Sequence, residues 1–234
     1  MRGKIGSREP GVCEIWRIRI GAELPPASLL DLLSPEERRR AMRFVRESDR
    51  RRFQLCHVAL RSILGDWLGT EPARLRFATG SWGKPALDRP FSEAGLEFNL
   101  SHTADLALVA VTRGRRVGID VEAIRPLRDL LGIARRVLSP SDFERLARLA
   151  PGRQVAAFWL AWTSNEACLK AVGSGLASGE PAIRLDAANS PVPCDAQMRL
   201  VRVQLDRPFV GALAVEDGEQ ATFVTRDFPL PACA

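Results

Sequence analysis

The chain has 234 residues, of which 46% are hydrophobic and 26% are charged, a composition that excludes a disordered chain and predicts a globular fold with a sizeable core. Its net charge of +6 favours an acidic partner but does not distinguish nucleic acid, a phosphorylated ligand and an acidic protein. Because no segment reaches about 18 uninterrupted apolar residues and no leader-like apolar run opens the sequence, we expect a soluble, cytoplasmic protein without membrane contact.

The first predicted elements are a strand and two helices. The segment VCEIWRIRI at 12–20 alternates between apolar and polar residues, as a strand does. SPEE, which begins at Ser34, is typical of a helix start, with serine as N-cap, proline at the first position and glutamate at the third. A longer helix is predicted over about 49–68. Arg52 lies on its otherwise apolar stripe, where an arginine needs an anion to justify its burial.

In the rest of the chain, the predicted strands and helices do not alternate strictly. Four strands are expected at 74–80, 96–102, 106–112 and 116–122, the last two forming a hairpin across a short RGR turn. Three helices follow at about 127–138, 140–149 and 153–173. Three or four closing strands are expected, from the segments AIRLDA (182–187), 198–205, 209–217 and 221–227. This order predicts an α+β fold with two similar halves, each a small antiparallel sheet packed with a long helix.

Three short motifs carry candidate chemistry. In GIDVE, Asp120 and Glu122 share one face of a strand, either as ligands of Mg²⁺ or as solvated acids beside the many arginines. In WTSNEACLK, Glu166 and Lys170 lie one helical turn apart, as an ordinary surface pair or as part of a ligand site on an apolar helix. In FNLSH, His102 lies where a strand runs into a turn, a place where an imidazole can contact a phosphate.

The other cysteine, histidine and serine residues give weaker indications of a functional site. The five cysteines are scattered and accompanied by only two histidines, so neither a zinc site nor a disulfide framework is predicted. His57, within an apolar helix, is expected to be a packing residue. Ser101 and His102 are adjacent on a strand and point to opposite faces, which makes a serine–histidine nucleophile pair a poor alternative.

Taken in order, FNxSH at 98–102, GIDxE at 118–122 and WTxxEAxxKxxGxGL at 162–176 resemble the motifs of 4′-phosphopantetheinyl transferases of the large, monomeric, surfactin-synthetase-activating type. The segment GKP at 83–85 and the arginine-rich first helices add weaker support. The resemblance implies two pseudo-symmetric halves with coenzyme A bound between them. It also implies Mg²⁺-dependent transfer of 4′-phosphopantetheine to a serine of an acyl or peptidyl carrier protein, with release of adenosine 3′,5′-bisphosphate.

The resemblance also implies roles for parts of the chain and for single residues. The half at 1–112 would contribute to coenzyme A binding, and the half at 113–234 would carry the metal and the catalytic residues. Asp120, Glu122 and Glu166 would hold Mg²⁺, and Glu166 would also activate the serine. Lys170 would bind the α-phosphate and stabilise the departing bisphosphate. The other coenzyme A contacts fall on Arg40, Arg52, Lys84, Ser101 and His102.

One departure from the family pattern leaves an alternative open. Asn165 stands where the family usually has lysine or arginine, whose side chain would contact coenzyme A or the carrier. The alternative is a relative that binds coenzyme A without transferring it. A basic nucleic-acid-binding protein would explain the arginines at 38–52. It leaves the three acids unexplained and finds no nucleic-acid motif in the sequence, so we expect no nucleic-acid partner.

Overall fold

The computed structural model describes residues 11–21, 25–80, 83–173, 197–216 and 221–229, and it confirms the predicted α+β class. The strands are β1 (Val12–Arg19), β2 (Phe77–Thr79), β3 (Pro85–Leu87), β4 (Leu96–Thr103), β5 (Leu106–Arg113), β6 (Val117–Ala123), β7 (Met198–Val203), β8 (Phe209–Glu216) and β9 (Thr222–Asp227). The helices are α1 (Ala27–Leu30), α2 (Pro35–Ala41), α3 (Glu47–Leu68), α4 (Leu130–Val137), α5 (Pro140–Arg148) and α6 (Pro151–Val172). The strand predicted at AIRLDA lies outside the described residues. None of the helices in the described ranges combines the length and the hydropathy that a membrane span needs.

The described residues separate into two compact units. The first takes its residues from 1–80, 85–114 and 221–234, and the second from 81–84 and 115–220. The chain therefore leaves the first unit after β5, forms most of the second, and returns to the first for β9. The division expected between residues 112 and 113 treats each half as one continuous segment, whereas β9 belongs to the sheet of the first unit.

The first unit is built on a four-stranded sheet in the order β4-β5-β1-β9. Side chains of β1, among them Trp16 and Ile18, share one hydrophobic core with side chains of α3 such as Leu60 and Ile63. β1 runs antiparallel to β5 but parallel to β9. β9 adds one parallel pairing to a sheet whose other pairings are antiparallel, as expected, because this strand joins from a distant part of the chain instead of through a hairpin.

Helix α2 is capped by Ser34, as the sequence predicts. The Ser34 hydroxyl oxygen accepts from the backbone N–H of Glu37 at 3.1 Å, and the Glu37 carboxylate accepts from the backbone N–H of Ser34 at 2.8 Å. The same carboxylate accepts from Nε of the buried Arg61 on α3 at 2.6 Å and contacts His57 Nδ1 at 2.8 Å. Burial alone would raise the pKa of Glu37, but the hydrogen bonds from His57, Ser34 and Arg61 lower it to about 2.

The second unit packs α6 directly onto a three-stranded antiparallel sheet in the order β6-β8-β7. Gly118 on β6 permits the close contact. A Cβ atom at this position would lie 2.1 Å from the carbonyl oxygen of Ala167 and 2.4 Å from the backbone nitrogen of Ala171. The strand that carries GIDVE thus touches the backbone of the helix that carries WTSNEACLK.

The hairpin predicted between β5 and β6 is wrong. β5 pairs with β4 across a turn at Ala104 and Asp105, and its other edge pairs with β1. Both edges of β5 are therefore occupied, and β6 pairs with β8 in the second unit instead. Gly114, with φ of +67°, lies in the RGR turn, where the chain leaves the first sheet.

Candidate functional site

Four of the predicted site residues meet in the second unit, where β6 packs against α6. Asp120 is only 5% exposed, and its Oδ1 accepts a hydrogen bond from Lys170 Nζ at 2.6 Å. Glu122 lies two residues further along β6 and is half-buried. Glu166 precedes Lys170 by one turn of α6. The structure therefore brings together an ammonium group and carboxylates from motifs that are more than 40 residues apart in the sequence.

The Glu166 carboxyl group is electrostatically coupled to its neighbours. Burial raises its pKa, the positive charge of Lys170 acts in the opposite direction, and the negative charges of Asp120 and Glu122 raise the pKa further. Its Oε1 atom is buried and has no hydrogen-bond partner. Because a buried acceptor without a donor is costly, this oxygen is suited to a cation or to a proton donor that arrives with a ligand.

The donor set of these acids matches the chemistry of a hard divalent cation. Mg²⁺ takes oxygen ligands and is usually bound by a few carboxylates together with substrate phosphates. Within the described ranges, however, no group of three or more His, Cys, Asp or Glu side chains is already arranged to hold a metal ion. At Asp120 the positive charge is supplied by Lys170 instead. Binding a cation here would require these side chains to rearrange.

Asn165 provides a further buried acceptor on the same stretch of α6. It is 7% exposed, and its Oδ1 atom has no hydrogen-bond partner. Neighbouring residues on a helix point about 100° apart, so Asn165 and Glu166 face different directions. The residue that departs from the family pattern is thus a buried amide and not an exposed polar side chain.

A second group of predicted residues lines a cavity of about 210 Å³ in the first unit. Arg40, Arg52 and His102 all contribute to its wall. The Arg40 guanidinium lies over the ring of Phe53, 5.3 Å from the ring centre. The cavity therefore combines positive charge with an aromatic surface.

Arg52 is paired within the first unit. Its Nη1 donates to Oδ1 of Asp49 and its Nε donates to the carbonyl oxygen of Ala104, both at 2.9 Å. The side chain is also 26% exposed. Arg52 therefore does not need an external anion, contrary to what its place on the apolar stripe predicted. Its assignment to coenzyme A now depends on its place in the cavity wall.

Ser101 and Lys84 are placed differently from the arginines. Ser101 is buried on β4, and the adjacent His102 is exposed, as expected for neighbours on opposite faces of a strand. Lys84 belongs to the second unit, where its Nζ donates to the carbonyl oxygen of Val117 at the start of β6, at 3.0 Å.

His57 is a cavity residue that the sequence analysis assigned to packing alone. It lines the same 210 Å³ cavity. Its ring stacks on Phe53 with 4.0 Å between the ring centres, and its Nδ1 contacts Glu37. The spacing of Phe53 and His57 by one helical turn was the only signal for this stack, and it carried no information about the cavity.

Comparison with known proteins agrees with these motifs. Residues 116–219 match the family model described as the 4′-phosphopantetheinyl transferase superfamily, and residues 26–113 match the model of the N-terminal part of 4′-phosphopantetheinyl transferase. The 4′-phosphopantetheinyl transferase HetI of Nostoc sp. is 44% identical over 169 residues, which cover 71% of this chain and 70% of the relative. A putative 4′-phosphopantetheinyl transferase of Synechocystis sp. is 34% identical over 63% of this chain and 60% of its own length. A 4′-phosphopantetheinyl transferase of Bacillus subtilis is 28% identical over 63% of each chain.

These matches cover both compact units. The N-terminal family model ends at residue 113 and the superfamily model begins at residue 116, so the two models meet where the chain passes from the first unit to the second. The alignment to the Nostoc relative covers more than two thirds of both proteins. The predicted family and enzyme class are confirmed: this chain belongs to the 4′-phosphopantetheinyl transferase superfamily.

Proposed function

We propose that this chain transfers the 4′-phosphopantetheine group of coenzyme A to a serine of an acyl or peptidyl carrier protein, in a Mg²⁺-dependent reaction that releases adenosine 3′,5′-bisphosphate. The observation that carries the proposal is the meeting of Asp120, Glu166 and Lys170 where β6 packs on α6. Family membership supplies the reaction class. A nucleic-acid-binding function would give this cluster of acids no task.

Each group in this cluster has a distinct part in the proposed reaction. The serine oxygen forms a bond to the phosphorus that bears pantetheine, and the bond from that phosphorus to the oxygen of the α-phosphate breaks. Glu166 accepts the serine proton, directly or through water. Lys170 donates to the α-phosphate and stabilises the departing bisphosphate. When bound by Asp120, Glu122 and Glu166, Mg²⁺ would neutralise charge on the pyrophosphate.

Basic residues would hold the remainder of coenzyme A. Arg40, Arg52 and His102 line the 210 Å³ cavity, which is smaller than the roughly 300–1,000 Å³ of ordinary cofactor sites. It would therefore accept one end of the molecule and not the whole. Lys84 and Ser101 are proposed as further contacts, and Lys84 would first have to leave the carbonyl oxygen of Val117.

The carrier protein is the second proposed substrate. The net charge of +6 suits an acidic carrier, since opposite charges accelerate the encounter and orient the partners. We take the enzyme to act as a cytoplasmic monomer, as the family resemblance implies. An acidic carrier would be modified more slowly at high salt through a raised KM, because screening weakens attraction between exposed charges.

The test is transfer of a fluorescent coenzyme A analogue to a panel of apo carrier proteins, with Mg²⁺ and with a chelator. We expect labelling of at least one carrier, only with the metal. Asp120→Asn and Glu166→Gln should each reduce the rate about 100-fold or more, a loss of the size seen when a charge-stabilising group is removed from an active site. Glu144→Gln, which changes an exposed carboxylate on α5, is the matched control and should keep the wild-type rate. Absence of label on every carrier, or full activity of Glu166→Gln, would refute the proposal.

A further inference from the structure

Lys170 already occupies the place at Asp120 that the proposed cation would need. Its Nζ lies 2.6 Å from Asp120 Oδ1, a short charge-assisted hydrogen bond. Asp120 is 5% exposed, so solvent contributes little to neutralising its charge. Lys170 is therefore the local counter-ion of the buried carboxylate in this structure.

This ion pair conflicts with the tasks that the proposed reaction gives to the same two residues. Asp120 has to bind a divalent cation, and Lys170 has to reach a phosphate. An ammonium and a metal ion at one carboxylate oxygen would repel each other strongly in a poorly solvated site. The pair and the metal complex therefore exclude each other, at least at Oδ1.

The structure gives Lys170 the means to change partner. Its side chain is 30% exposed, and a lysine carries its compact charge on a flexible four-carbon stem. Asp120 is fixed on β6 by the close contact of Gly118 with α6. The nearby Oε1 of Glu166 has no hydrogen-bond partner, which leaves this oxygen available to an arriving cation.

We propose that Lys170 is the resident counter-ion of Asp120 in the ligand-free protein and moves from Asp120 to a phosphate of coenzyme A when a divalent cation binds. The inference rests on the proposed function for the identity of the cation and the phosphate. Because coupling between two ligands is reciprocal, Mg²⁺ and coenzyme A should each increase the affinity of the other. Lys170 therefore competes with the metal at Asp120 before it contacts the phosphate.

The first test measures Mg²⁺ binding alone, by calorimetry, without coenzyme A or carrier protein. Lys170→Met keeps a side chain of similar length and removes the competing charge, so we expect its Mg²⁺ dissociation constant to fall at least tenfold below that of the wild type. Arg148→Met is the matched control: it removes a positive charge from the same unit, at an exposed pair with Glu144, and should leave the constant within about twofold. Equal or weaker Mg²⁺ binding by Lys170→Met overturns the inference.

The second test follows the wild-type protein and needs a variant only to assign one signal. Lys4, Lys84 and Lys170 are the only lysines in the sequence, so isotopic labelling of lysine gives three side-chain signals in NMR spectra, and the signal missing from Lys170→Met, or from Lys170→Arg if that variant folds better, identifies Lys170. We expect Mg²⁺ alone to shift this signal towards the position of a solvated lysine. An unchanged Lys170 signal at a Mg²⁺ concentration that saturates the protein overturns the inference. Both tests omit the transfer reaction, so failure of carrier labelling with these results intact refutes the proposed function and not the exchange of partners.

Discussion

Glu37 shows how one side chain can serve two elements at once. It completes the capping box of α2 and accepts a hydrogen bond from Arg61 on α3, which is 1% exposed. Arg61 also donates to the carbonyl oxygens of Pro72 and Leu75. The carboxylate therefore joins the start of one helix to the middle of the next, and its ionisation should be linked to the stability of the first unit.

The lowered pKa of Glu37 predicts a loss of stability in acid. The value of about 2 in the folded protein lies below the usual 4.5, so the stabilisation is complete above pH 4.5 and is lost as the pH falls towards 2. A difference of this size corresponds to about 3 kcal/mol. Urea denaturation between pH 7 and pH 2.5 measures it as a fall in the free energy of unfolding. Glu37→Gln should be less stable at pH 7 and show a smaller fall, because the titrating group is gone.

A surface carboxylate provides the control for this measurement. Glu144 is 65% exposed and pairs with Arg148 over 3.4 Å, a kind of pair that contributes little. Glu144→Gln should therefore keep the wild-type dependence on pH. An equally steep acid dependence in Glu37→Gln would contradict the role given to this carboxylate.

At the scale of single residues, the sequence predicted chemical types better than contacts. It identified Asp120 and Lys170 as members of one site through their motifs. It did not predict that they would bind each other, because a separation of 50 residues leaves no periodic signal. His57 was missed for the same reason: its cavity is formed with residues of β4, and only the folded chain brings β4 to α3.

The contact between β6 and α6 depends on the absence of a side chain at Gly118. Gly118→Ala would place a Cβ atom 2.1 Å from the carbonyl oxygen of Ala167, and neither backbone can yield without moving the other. We expect a loss of about 3 kcal/mol in the free energy of unfolding, at the upper end of overpacking effects. Activity at a temperature where the variant is folded should fall further, because the shift separates Asp120 from Glu166. Chemical denaturation and carrier labelling measure the two effects.

Gly152 is the matched control on α6 itself. A Cβ atom at this position meets nothing within 4 Å, and alanine is the better helix former. Gly152→Ala should therefore be neutral or stabilise the protein by up to about 1 kcal/mol, with unchanged activity. If Gly118→Ala behaves in the same way, the close packing of β6 on α6 is not what positions the acids.

At the scale of elements, local sequence signals predicted which helices and strands exist and where helices begin. They did not predict which strands pair when those strands are far apart in the sequence. Ser34 and Ser139 both cap helices where the sequence indicated, because a cap involves residues only three apart. The hairpin between β5 and β6 failed because strand alternation does not reveal which neighbour completes a sheet. The edge of β5 that was assigned to β6 is instead paired with β1, which lies almost 100 residues earlier in the sequence.

At the scale of the whole molecule, β9 completes the sheet of the first unit with residues that follow the second unit in the sequence. It pairs with β1 over six residues. Arg17 donates to Asp227 through two hydrogen bonds of 2.8 Å, and Arg226 donates to the buried Glu14 at 3.2 Å. A chain that lacks β9 should therefore lose stability in the first unit and not in the sheet of β6, β7 and β8.

Truncation after Glu216 tests this prediction. Six lost strand pairings, at about 0.5–1.5 kcal/mol for each hydrogen bond, should lower the free energy of unfolding by at least about 3 kcal/mol, or the Tm by roughly 6–12 °C. Hydrogen exchange should show loss of protection in β1, while β6 and β8 stay protected. Unchanged protection in β1 would show that β9 is dispensable, and equal loss in both units would show that they unfold together.

The parallel pairing of β1 with β9 has a consequence for biosynthesis. Arg17 and Asp227 are 210 residues apart in the chain, and ribosomes add about 5–20 residues per second. β1 therefore leaves the ribosome roughly 10–40 s before its parallel neighbour exists. Nascent chains commonly fold their N-terminal domain first, but here the earliest strand must wait, with one edge open, until all of the second unit has been translated. During that interval the open edge of β1 exposes the nascent chain to edge-to-edge association.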